Sequence, residues 1–174
     1  IRGLDGDDHL FGGAGDDTID LSGKFQVGRS GKDDDVEISG GAGDDILYGS
    51  SKDDMIYGGA DDDTLYGGSG KDDLWGGEGS DTFVFHQGDG KDSVNDFGVD
   101  DTLVFEGTWF DEGPDIKQDG DDAVLTFGSG KHKVEVTVKD TEADSLQPVE
   151  NAEGGGYSVT RTDDSGSDNG PDFT

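Results

Sequence analysis

Residues 40–84 read GGAGDDILY, GSSKDDMIY, GGADDDTLY, GGSGKDDLW and GGEGSDTFV, which are five nine-residue units with no gap between them. The first, fourth and fifth units match the pattern G-G-x-G-x-D-x-U-x at every specified position, where U is a large apolar residue. The sixth position is always aspartate, in Asp45, Asp54, Asp63, Asp72 and Asp81, and the eighth is always apolar, in Leu47, Ile56, Leu65, Leu74 and Phe83. A repeat this short predicts a solenoid in which each unit stacks on its neighbours.

Each unit divides into a turn of six residues and a strand of three. Glycine at the first, second and fourth positions permits positive φ and a close approach of the backbone. The eighth-position residue points inward, because side chains alternate between the two faces of a strand. Two units then make one coil with two short parallel sheets, so successive aspartates fall on opposite edges. Asp45, Asp63 and Asp81 are predicted to stack along one edge. Asp54 and Asp72 are predicted to stack along the other.

The composition constrains how such a chain can fold. It has 174 residues, a formal net charge of -31, 28% hydrophobic residues, 33 glycines and no cysteine. Low hydrophobicity with high net charge is typical of disordered chains, and the lack of cysteine removes disulfides as a means of stabilisation. The acidity argues against nucleic acid and anionic membrane surfaces as partners. No apolar run approaches the roughly 20 residues of a membrane span.

A bound cation reconciles the periodic sequence with this acidity. Calcium is a hard cation that takes oxygen ligands from carboxylates and backbone carbonyls. Glycine turns expose carbonyls and aspartates supply negative charge, so stacked turns can hold an ion between them. We therefore predict several calcium ions and a chain that is mostly disordered without calcium. The fifth-position residues are interpreted as solvated charge, because Lys71 and Ser80 stand at the same position; they are Asp7, Asp16, Asp44, Asp53 and Asp62.

The repeat also occurs closer to the N-terminus. Residues 3–11 (GLDGDDHLF) and 12–20 (GGAGDDTID) are two further units, which place Asp8 and Asp17 at the sixth position. Each of these aspartates stands two residues before an apolar residue, as in the main block. The two units therefore predict a first coil of the same solenoid.

Residues 21–39 interrupt this register, since they number 19 where two units would need 18. Asp34 and Val36 keep the spacing of an aspartate two residues before an apolar residue. That spacing favours a degenerate turn with an inserted loop. The alternative is a plain insertion that binds no calcium.

After Val84 the period of the hydrophobic pattern changes from nine residues to two, which is typical of strands. The segments DDAVLTF and KHKVEVTVKD are joined by Gly128-Ser129-Gly130 and predict an antiparallel hairpin, with another turn before it at Asp119-Gly120. A solenoid needs such a cap, because its last coil would otherwise leave an open sheet edge and a bare core. The polar residues after the cap predict a mobile tail, with at most one helical turn at TEADSL.

The seven clear units resemble the RTX (repeats-in-toxin) family of secreted calcium-binding β-rolls. The resemblance covers residues 3–20 and 40–84, and the segment TFVFHQGDGKDSVNDFGVDDTLVF is similar to the one that ends many such rolls. It implies export by a type I secretion system in an unfolded state, followed by folding on extracellular calcium. The protein would then be secreted, extracellular or at the cell surface. The chain would support the secretion and stability of a larger protein of which it is a module.

The resemblance also implies a set of calcium ligands. In the family pattern the sixth-position aspartates bind through their side chains, and carbonyl groups of the glycine turns complete the shell. The implied carboxylate ligands are Asp8, Asp17, Asp45, Asp54, Asp63, Asp72 and Asp81. The implied carbonyl ligands are Gly3, Gly6, Gly12, Gly13, Gly15, Gly40, Gly41, Gly43, Gly49, Gly58, Gly59, Gly67, Gly68, Gly70, Gly76, Gly77 and Gly79. Ser50, Lys52 and Asp61 depart from the glycine pattern in two of the turns.

The resulting prediction is an all-β fold, a calcium-binding parallel β-roll solenoid capped by a C-terminal antiparallel β segment. The first β-roll repeats occupy residues 1–20, and a degenerate repeat with a loop insertion occupies 21–39. The main β-roll occupies 40–97, the antiparallel cap 98–140, and the polar tail 141–174.

The ninth position carries aromatic residues, which face outward if the eighth position faces inward. Tyr48 is predicted to stack with Tyr66, and Tyr57 with Trp75. Exposed aromatic rows suit sugar rings, and RTX-like modules attached to bacterial alginate epimerases bind polysaccharide. The alternative is that these residues, which have high β propensity, shield a thin sheet.

Catalysis has little support in this sequence. His9, His86 and His132 stand alone, and the chain contains neither H-E-x-x-H nor G-x-S-x-G. We interpret the chain as a non-catalytic, monomeric module, and we expect any catalytic domain elsewhere in a longer parent chain.

Overall fold

The computed structural model describes residues 9–15, 17–20, 36–107, 113–128, 133–151 and 156–162. These residues form fifteen strands, which in chain order are β1 (His9–Ala14), β2 (Thr18–Asp20), β3 (Glu37–Ala42), β4 (Ile46–Tyr48), β5 (Met55–Ala60), β6 (Thr64–Tyr66), β7 (Asp73–Glu78), β8 (Thr82–His86), β9 (Lys91–Val94), β10 (Thr102–Glu106), β11 (Asp115–Asp119), β12 (Asp122–Phe127), β13 (Val134–Val138), β14 (Leu146–Glu150) and β15 (Gly156–Arg161). A short 3-10 helix, Ala143–Ser145, precedes β14. Within the described ranges there is no α-helix, and hence no helix long and apolar enough to cross a membrane.

The strands belong to two sheets that the chain visits alternately. The first sheet has the order β1-β3-β5-β7-β9-β13-β12-β11, and the second has the order β14-β15-β10-β8-β6-β4-β2. From β1 to β10 the neighbours within each sheet are parallel. Each coil therefore contributes one strand to each sheet and a turn to each edge, which confirms the predicted β-roll.

The register aligns equivalent positions of successive coils. Eighth-position residues pair with one another, in the first sheet Leu10, Ile38, Ile56 and Leu74, and in the second Ile19, Leu47, Leu65 and Phe83. All of these side chains are buried in one apolar cluster between the sheets. The predicted inward direction of the eighth position is therefore confirmed.

The register of β3 corrects one prediction for the interrupted region. Ile38 pairs with Ile56, so Ile38 occupies the eighth position of its unit. Val36 therefore occupies the sixth position, and the interpretation of Asp34 and Val36 as the sixth and eighth residues is wrong. The Val36 N–H donates to Asp54 Oδ1 at 3.1 Å, so valine keeps the backbone link but supplies no carboxylate. The residues between β2 and Val36 lie outside the described part of the chain.

The antiparallel cap begins later than predicted. β10 pairs in parallel with β8, so the roll continues past residue 97. The predicted hairpin is confirmed, because β12 pairs antiparallel with β13, and β13 in turn adds to β9 in parallel. β11 and β12 form a second hairpin whose turn contains Gly120, with φ of 67°. The cap thus extends the first sheet, while the last coil of the roll extends the second.

The C-terminal segment differs from the mobile tail that its composition predicts. β14 and β15 form a hairpin, and β15 pairs antiparallel with β10. Leu146 and Val159 are buried against the core, and the Arg161 guanidinium donates to the Phe97 carbonyl at 3.0 Å. The composition does not predict this packing, because most of it comes from two apolar side chains in a polar segment. Residues 163–174 lie outside the described part of the chain.

The substitution Val159→Ala tests whether β15 belongs to the folded unit. It removes two buried methyl groups and leaves a cavity, so we expect the free energy of unfolding to fall by roughly 2 kcal/mol. Val149→Ala on β14 is the matched control, because Val149 is 61% exposed and its truncation should cost under about 0.5 kcal/mol. Chemical denaturation would measure both, and equal effects would contradict the packing of β15.

Candidate metal centres

The sixth-position aspartates form two ladders, one along each edge of the roll. In each ladder the N–H of one aspartate donates to Oδ1 of the aspartate one coil later. The links are Asp17 to Asp45 at 2.7 Å, Asp45 to Asp63 at 2.8 Å and Asp63 to Asp81 at 3.0 Å along the first edge, and Asp54 to Asp72 at 2.9 Å along the second. The predicted division of the aspartates between two edges is therefore confirmed.

The carboxyl groups of the ladders are buried. From Asp45 to Asp81 each sixth-position aspartate is at most 2% exposed. The ladder uses Oδ1, whereas Oδ2 of Asp63, Asp72 and Asp81 is buried without a hydrogen-bond partner. A buried charged group without a partner is expensive, so these carboxyl groups need either a proton or a cation.

The pKa values of these carboxyl groups also indicate that burial disfavours their charged form. Burial raises the pKa of Asp63 and Asp72 to about 7 and that of Asp81 to about 6. The ladder N–H groups lower these pKa values, and the neighbouring carboxylates raise them again. Because each pKa is higher in the folded than in the unfolded chain, the stability of the metal-free fold falls as the pH rises from about 4 through about 7. A cation bound at each carboxylate would remove this penalty.

Backbone oxygens line the gaps between successive turns. A Cβ on Gly58 would overlap both Asp63 Oδ2 and the carbonyl oxygen of Gly76 in the next coil. Gly59 has φ of 134°, and a Cβ there would overlap the carbonyl oxygen of Gly41 in the previous coil. Each gap therefore brings together a carboxylate oxygen and carbonyl oxygens of two turns, at distances that glycine permits.

This arrangement of oxygens fits a hard divalent cation. Calcium takes six to eight oxygen ligands at about 2.3–2.6 Å, from carboxylates and carbonyls alike. In the described ranges no three carboxylate or imidazole groups come together as a metal-binding group. Most ligands of each ion would therefore be carbonyl oxygens, with a buried Oδ2 supplying charge.

The sequence itself settles the family. Residues 1–23, 30–51 and 48–83 match the RTX calcium-binding nonapeptide repeat, in four copies. The chain belongs to the RTX calcium-binding nonapeptide repeat family. The resemblance drawn from the spacing of glycine and aspartate is thus confirmed, and the RTX repeats of this chain bind several calcium ions.

Several solved structures are similar to this RTX chain. The extracellular lipase LipA from Serratia marcescens is 30% identical over 78% of this chain, with a TM-score of 0.43, and the chain spans 19% of that lipase. The AlgE6R2 subunit of the Azotobacter vinelandii mannuronan C5-epimerase is 30% identical, with coverage of 83% of this chain and 86% of that subunit and a TM-score of 0.44. The AlgE6R3 subunit of the same epimerase is 23% identical, with coverage of 83% and 81% and a TM-score of 0.35. No curated protein sequence matches the chain significantly.

The predicted carbonyl ligands fall into two geometric groups. The first-position glycines lie against Oδ2 of the aspartate in their own turn, and they are Gly12, Gly40, Gly49, Gly58, Gly67 and Gly76. The second- and fourth-position glycines have positive φ, and they are Gly13, Gly15, Gly41, Gly43, Gly59, Gly68, Gly70, Gly77 and Gly79. Asp8, Gly3 and Gly6 lie outside the described residues.

The fifth-position aspartates form hydrogen bonds between turns, which the prediction of solvated charge does not include. They are exposed, yet Asp44 Oδ1 accepts the Asp62 N–H at 3.1 Å, and Asp62 Oδ1 accepts the Ser80 N–H at 2.8 Å. These carboxylates reach toward the following coil, whereas the sixth-position carboxylates reach toward the preceding one. Successive turns are therefore linked by aspartates in both directions.

The turn 49–54 differs from its neighbours. Among the described non-glycine residues, positive φ occurs at Asp61 and Asp140, so Asp61 keeps the turn shape that Ser50 and Lys52 lose. Asp54 Oδ2 accepts the Ser50 N–H at 2.6 Å and the Ser50 hydroxyl at 2.9 Å. Ser50 thus donates hydrogen bonds to the oxygen that has no partner in Asp63, Asp72 and Asp81.

Sequence reasoning missed two aspartates that continue the ladders beyond the repeats. The Asp72 N–H donates to Asp92 Oδ1 at 3.1 Å, and the Asp81 N–H donates to Asp101 Oδ1 at 3.0 Å. Burial raises the pKa of Asp92 to about 8. The run Gly88-Asp89-Gly90-Lys91-Asp92 was the signal in the sequence, but a nine-residue period hides it because Asp92 follows Asp81 by 92 − 81 = 11 residues.

The outward aromatic residues stack in the predicted pairs. The ring centroids of Tyr48 and Tyr66 are 4.3 Å apart, and those of Tyr57 and Trp75 are 4.5 Å apart. The first pair lies on the second sheet, where the ring of His86 stacks at 6.1 Å from Tyr66, and the second pair lies on the first sheet. All four aromatic side chains are partly exposed.

The substitution Ser50→Gly should strengthen calcium binding at the turn 49–54. It removes the hydroxyl group that occupies Asp54 Oδ2 and permits positive φ, so we expect about one more calcium ion per chain at limiting calcium. Ser69→Gly is the matched control, because Ser69 is exposed at the third position of the turn 67–72 and should leave the ion count unchanged. Isothermal titration calorimetry would measure both counts, and an unchanged count in Ser50→Gly would contradict competition between serine and calcium.

Proposed function

We propose that this chain is a module of a larger secreted protein that folds when it binds extracellular calcium. The observation that supports this most is the buried, unpartnered Oδ2 of Asp63, Asp72 and Asp81, facing turns lined with carbonyl oxygens. Repulsion between stacked carboxylates opposes the fold until a cation compensates them. Each ion then adds RT ln(1 + [Ca]/Kd), about 2.7 kcal/mol at a hundredfold excess of calcium over Kd.

The proposed ligands are the sixth-position carboxylates and the carbonyl groups of the glycine turns. Along the first edge the ions would lie between successive turns that carry Asp17, Asp45, Asp63 and Asp81. Along the second edge the turn with Asp72 offers the better site, since Ser50 already satisfies Asp54. The assignment of Asp8, Gly3 and Gly6 rests on the repeat pattern.

Calcium-dependent folding also accounts for export. In cytosol, where calcium is scarce, the ladders would keep the chain unfolded and able to pass through a type I secretion channel. Outside the cell calcium would complete the turns and the folded roll would stabilise the protein to which it belongs. The RTX repeat is a structural calcium-binding repeat, so we place any catalysis of that protein in another domain.

Circular dichroism with and without calcium tests this function. In a chelator we expect the spectrum of a mostly disordered chain, and in millimolar calcium the spectrum of β structure. Asp63→Asn should raise the calcium concentration at the folding midpoint roughly tenfold, because it removes the charge of one ligand. Asp62→Asn, an exposed neighbour that keeps its hydrogen-bonding oxygen, should have little effect. An unchanged β spectrum in the chelator would refute the proposal.

The stacked aromatic pairs favour saccharide binding as a second function. Each pair presents partly exposed rings on the outside of a sheet, a surface that suits sugar rings. Within the described ranges, Lys91 of β9 and Lys133 pair with Glu135, and Lys139 pairs with Asp122, so these lysines do not form a free cationic patch. With a net charge of -31, the chain therefore favours a neutral saccharide over an anionic one.

Titration with a neutral oligosaccharide and with alginate, each with and without calcium, tests this second function. Trp75→Ala should abolish binding on the first sheet, since it breaks the stacked pair with Tyr57, and should leave binding at the Tyr48–Tyr66 pair on the second sheet. Met55→Ala is the matched control, because Met55 lies two residues before Tyr57 on the same face of β5 and is 41% exposed. If neither saccharide binds the wild-type chain, the aromatic pairs serve to shield the sheets.

A further inference from the structure

The turn 87–92 has the shape of a repeat turn, although it lies beyond the residues that match the RTX repeat. Gly88 and Gly90 have φ of 95° and 116°, and they stand where Gly68 and Gly70 stand one coil earlier, with φ of 95° and 149°. A Cβ on Gly90 would overlap the Gly70 carbonyl oxygen, and these two residues form a parallel bridge. At its fourth position the turn therefore stacks on the preceding turn of its edge as one repeat turn stacks on another, whereas a Cβ on Gly88 would meet nothing within 4 Å.

A longer strand explains why the nine-residue pattern ends before this turn. β8 has five residues, whereas β4 and β6 have three. The two added residues continue the parallel pairing with β10, and one of them, Phe85, is buried in the core. The turn thus begins two residues late in sequence while keeping its place in the stack.

Asp92 takes the sixth position of this turn and repeats the contact that defines the ladders. Its Oδ1 accepts the Asp72 N–H at 3.1 Å, as Asp72 Oδ1 accepts the Asp54 N–H at 2.9 Å. Asp92 is 2% exposed, and its Oδ2 is buried with no hydrogen-bond partner. The carboxylate therefore spans the gap between the two turns and leaves one oxygen without a donor.

Among the described residues, the charged groups that act on Asp92 are carboxylates, those of Asp72, Asp73 and Asp89. Asp89, at the third position of the turn, is 8% exposed and acts electrostatically on both Asp72 and Asp92. The ammonium group of Lys91 is exposed and pairs with Glu135 at 2.7 Å. The gap between the turns is therefore acidic as well as lined with carbonyl oxygens.

The opposite edge ends in a different way. Asp101 Oδ1 accepts the Asp81 N–H at 3.0 Å, and its Oδ2 accepts the Gly98 N–H at 2.7 Å. The two oxygens of Asp96 accept the N–H groups of the first two glycines of the turn 76–81, at 2.9 and 3.0 Å. Backbone N–H groups therefore donate to both oxygens of Asp96 and of Asp101. Asp92, in contrast, has no donor at Oδ2.

We propose that the turn 87–92, stacked on the turn 67–72, holds one further calcium ion beyond the nonapeptide repeats. Asp92 supplies the carboxylate, and carbonyl oxygens of the two turns supply the other ligands. The inference rests on the calcium sites proposed for the repeats and extends them by one coil on one edge. The ion joins the roll to its cap, because the Gly90 carbonyl accepts the N–H of Glu135 on β13 at 3.1 Å.

Counting calcium ions on the whole chain tests this site. Equilibrium dialysis at saturating calcium should give one ion fewer for Asp92→Asn than for the wild type, with the β spectrum retained. Asp101→Asn is the matched control, because it neutralises the corresponding carboxylate of the other edge and should leave the count unchanged. If the wild type binds calcium and Asp92→Asn binds equally many ions, this inference fails while the proposed function stands. If the wild type binds none, both fail.

A measurement on the wild-type chain covers the case in which Asp92→Asn does not fold. Crystals grown with calcium and measured at long wavelength should give an anomalous peak about 2.3–2.6 Å from Asp92 Oδ2. Peaks confined to the repeat turns would overturn the inference and leave the proposed function in place. A map without any calcium peak would overturn both.

Discussion

The structure depends on the burial of like-charged carboxylates along two edges of a chain that already has a large negative charge. One oxygen of Asp45, Asp63, Asp72 and Asp81 accepts a backbone N–H of the preceding coil. The other oxygen of Asp63, Asp72 and Asp81 is buried without a hydrogen-bond partner. Contact between successive coils passes through these groups at both edges. Pairing of the strands therefore brings these buried carboxyl groups into successive turns, and the glycines are needed because the oxygens lie where a Cβ would be.

The two ends of the described chain are stabilised by different means. In the repeats each strand contributes one inward apolar side chain, so the core is thin and the hydrogen bonds at the edges form much of the contact between coils. At the cap, aromatic side chains pack against one another, with ring centroids of Phe85 and Phe105 at 5.2 Å and of Phe105 and Phe127 at 4.3 Å. The hydrophobic effect thus has most to act on where the aspartate ladders end.

Most of the roll could be predicted because its information is periodic and local. The spacing of Asp45, Asp63 and Asp81 placed them on one edge, and the alternation of faces placed Leu65 inside. The interrupted region could not be read in the same way, because Val36 fills an aspartate position and the register there is set by pairing of β3 with its neighbours. Likewise, the sequence shows only that Ser50 replaces a glycine of the repeat. Its hydrogen bonds to Asp54 depend on the conformation of the turn, which the structure provides.

The sequence by itself determined the nine-residue period, the division of the aspartates between two edges, the inward and outward positions and the binding of calcium, since each follows from residue types repeated at fixed spacing. The tertiary structure alone decided how the roll ends. A longer β8 carried the turn of Asp92 into the stack, β10 prolonged the roll, and the hairpin of β14 and β15 extended the second sheet through a few buried residues. These features depend on register between distant segments, which no local period encodes.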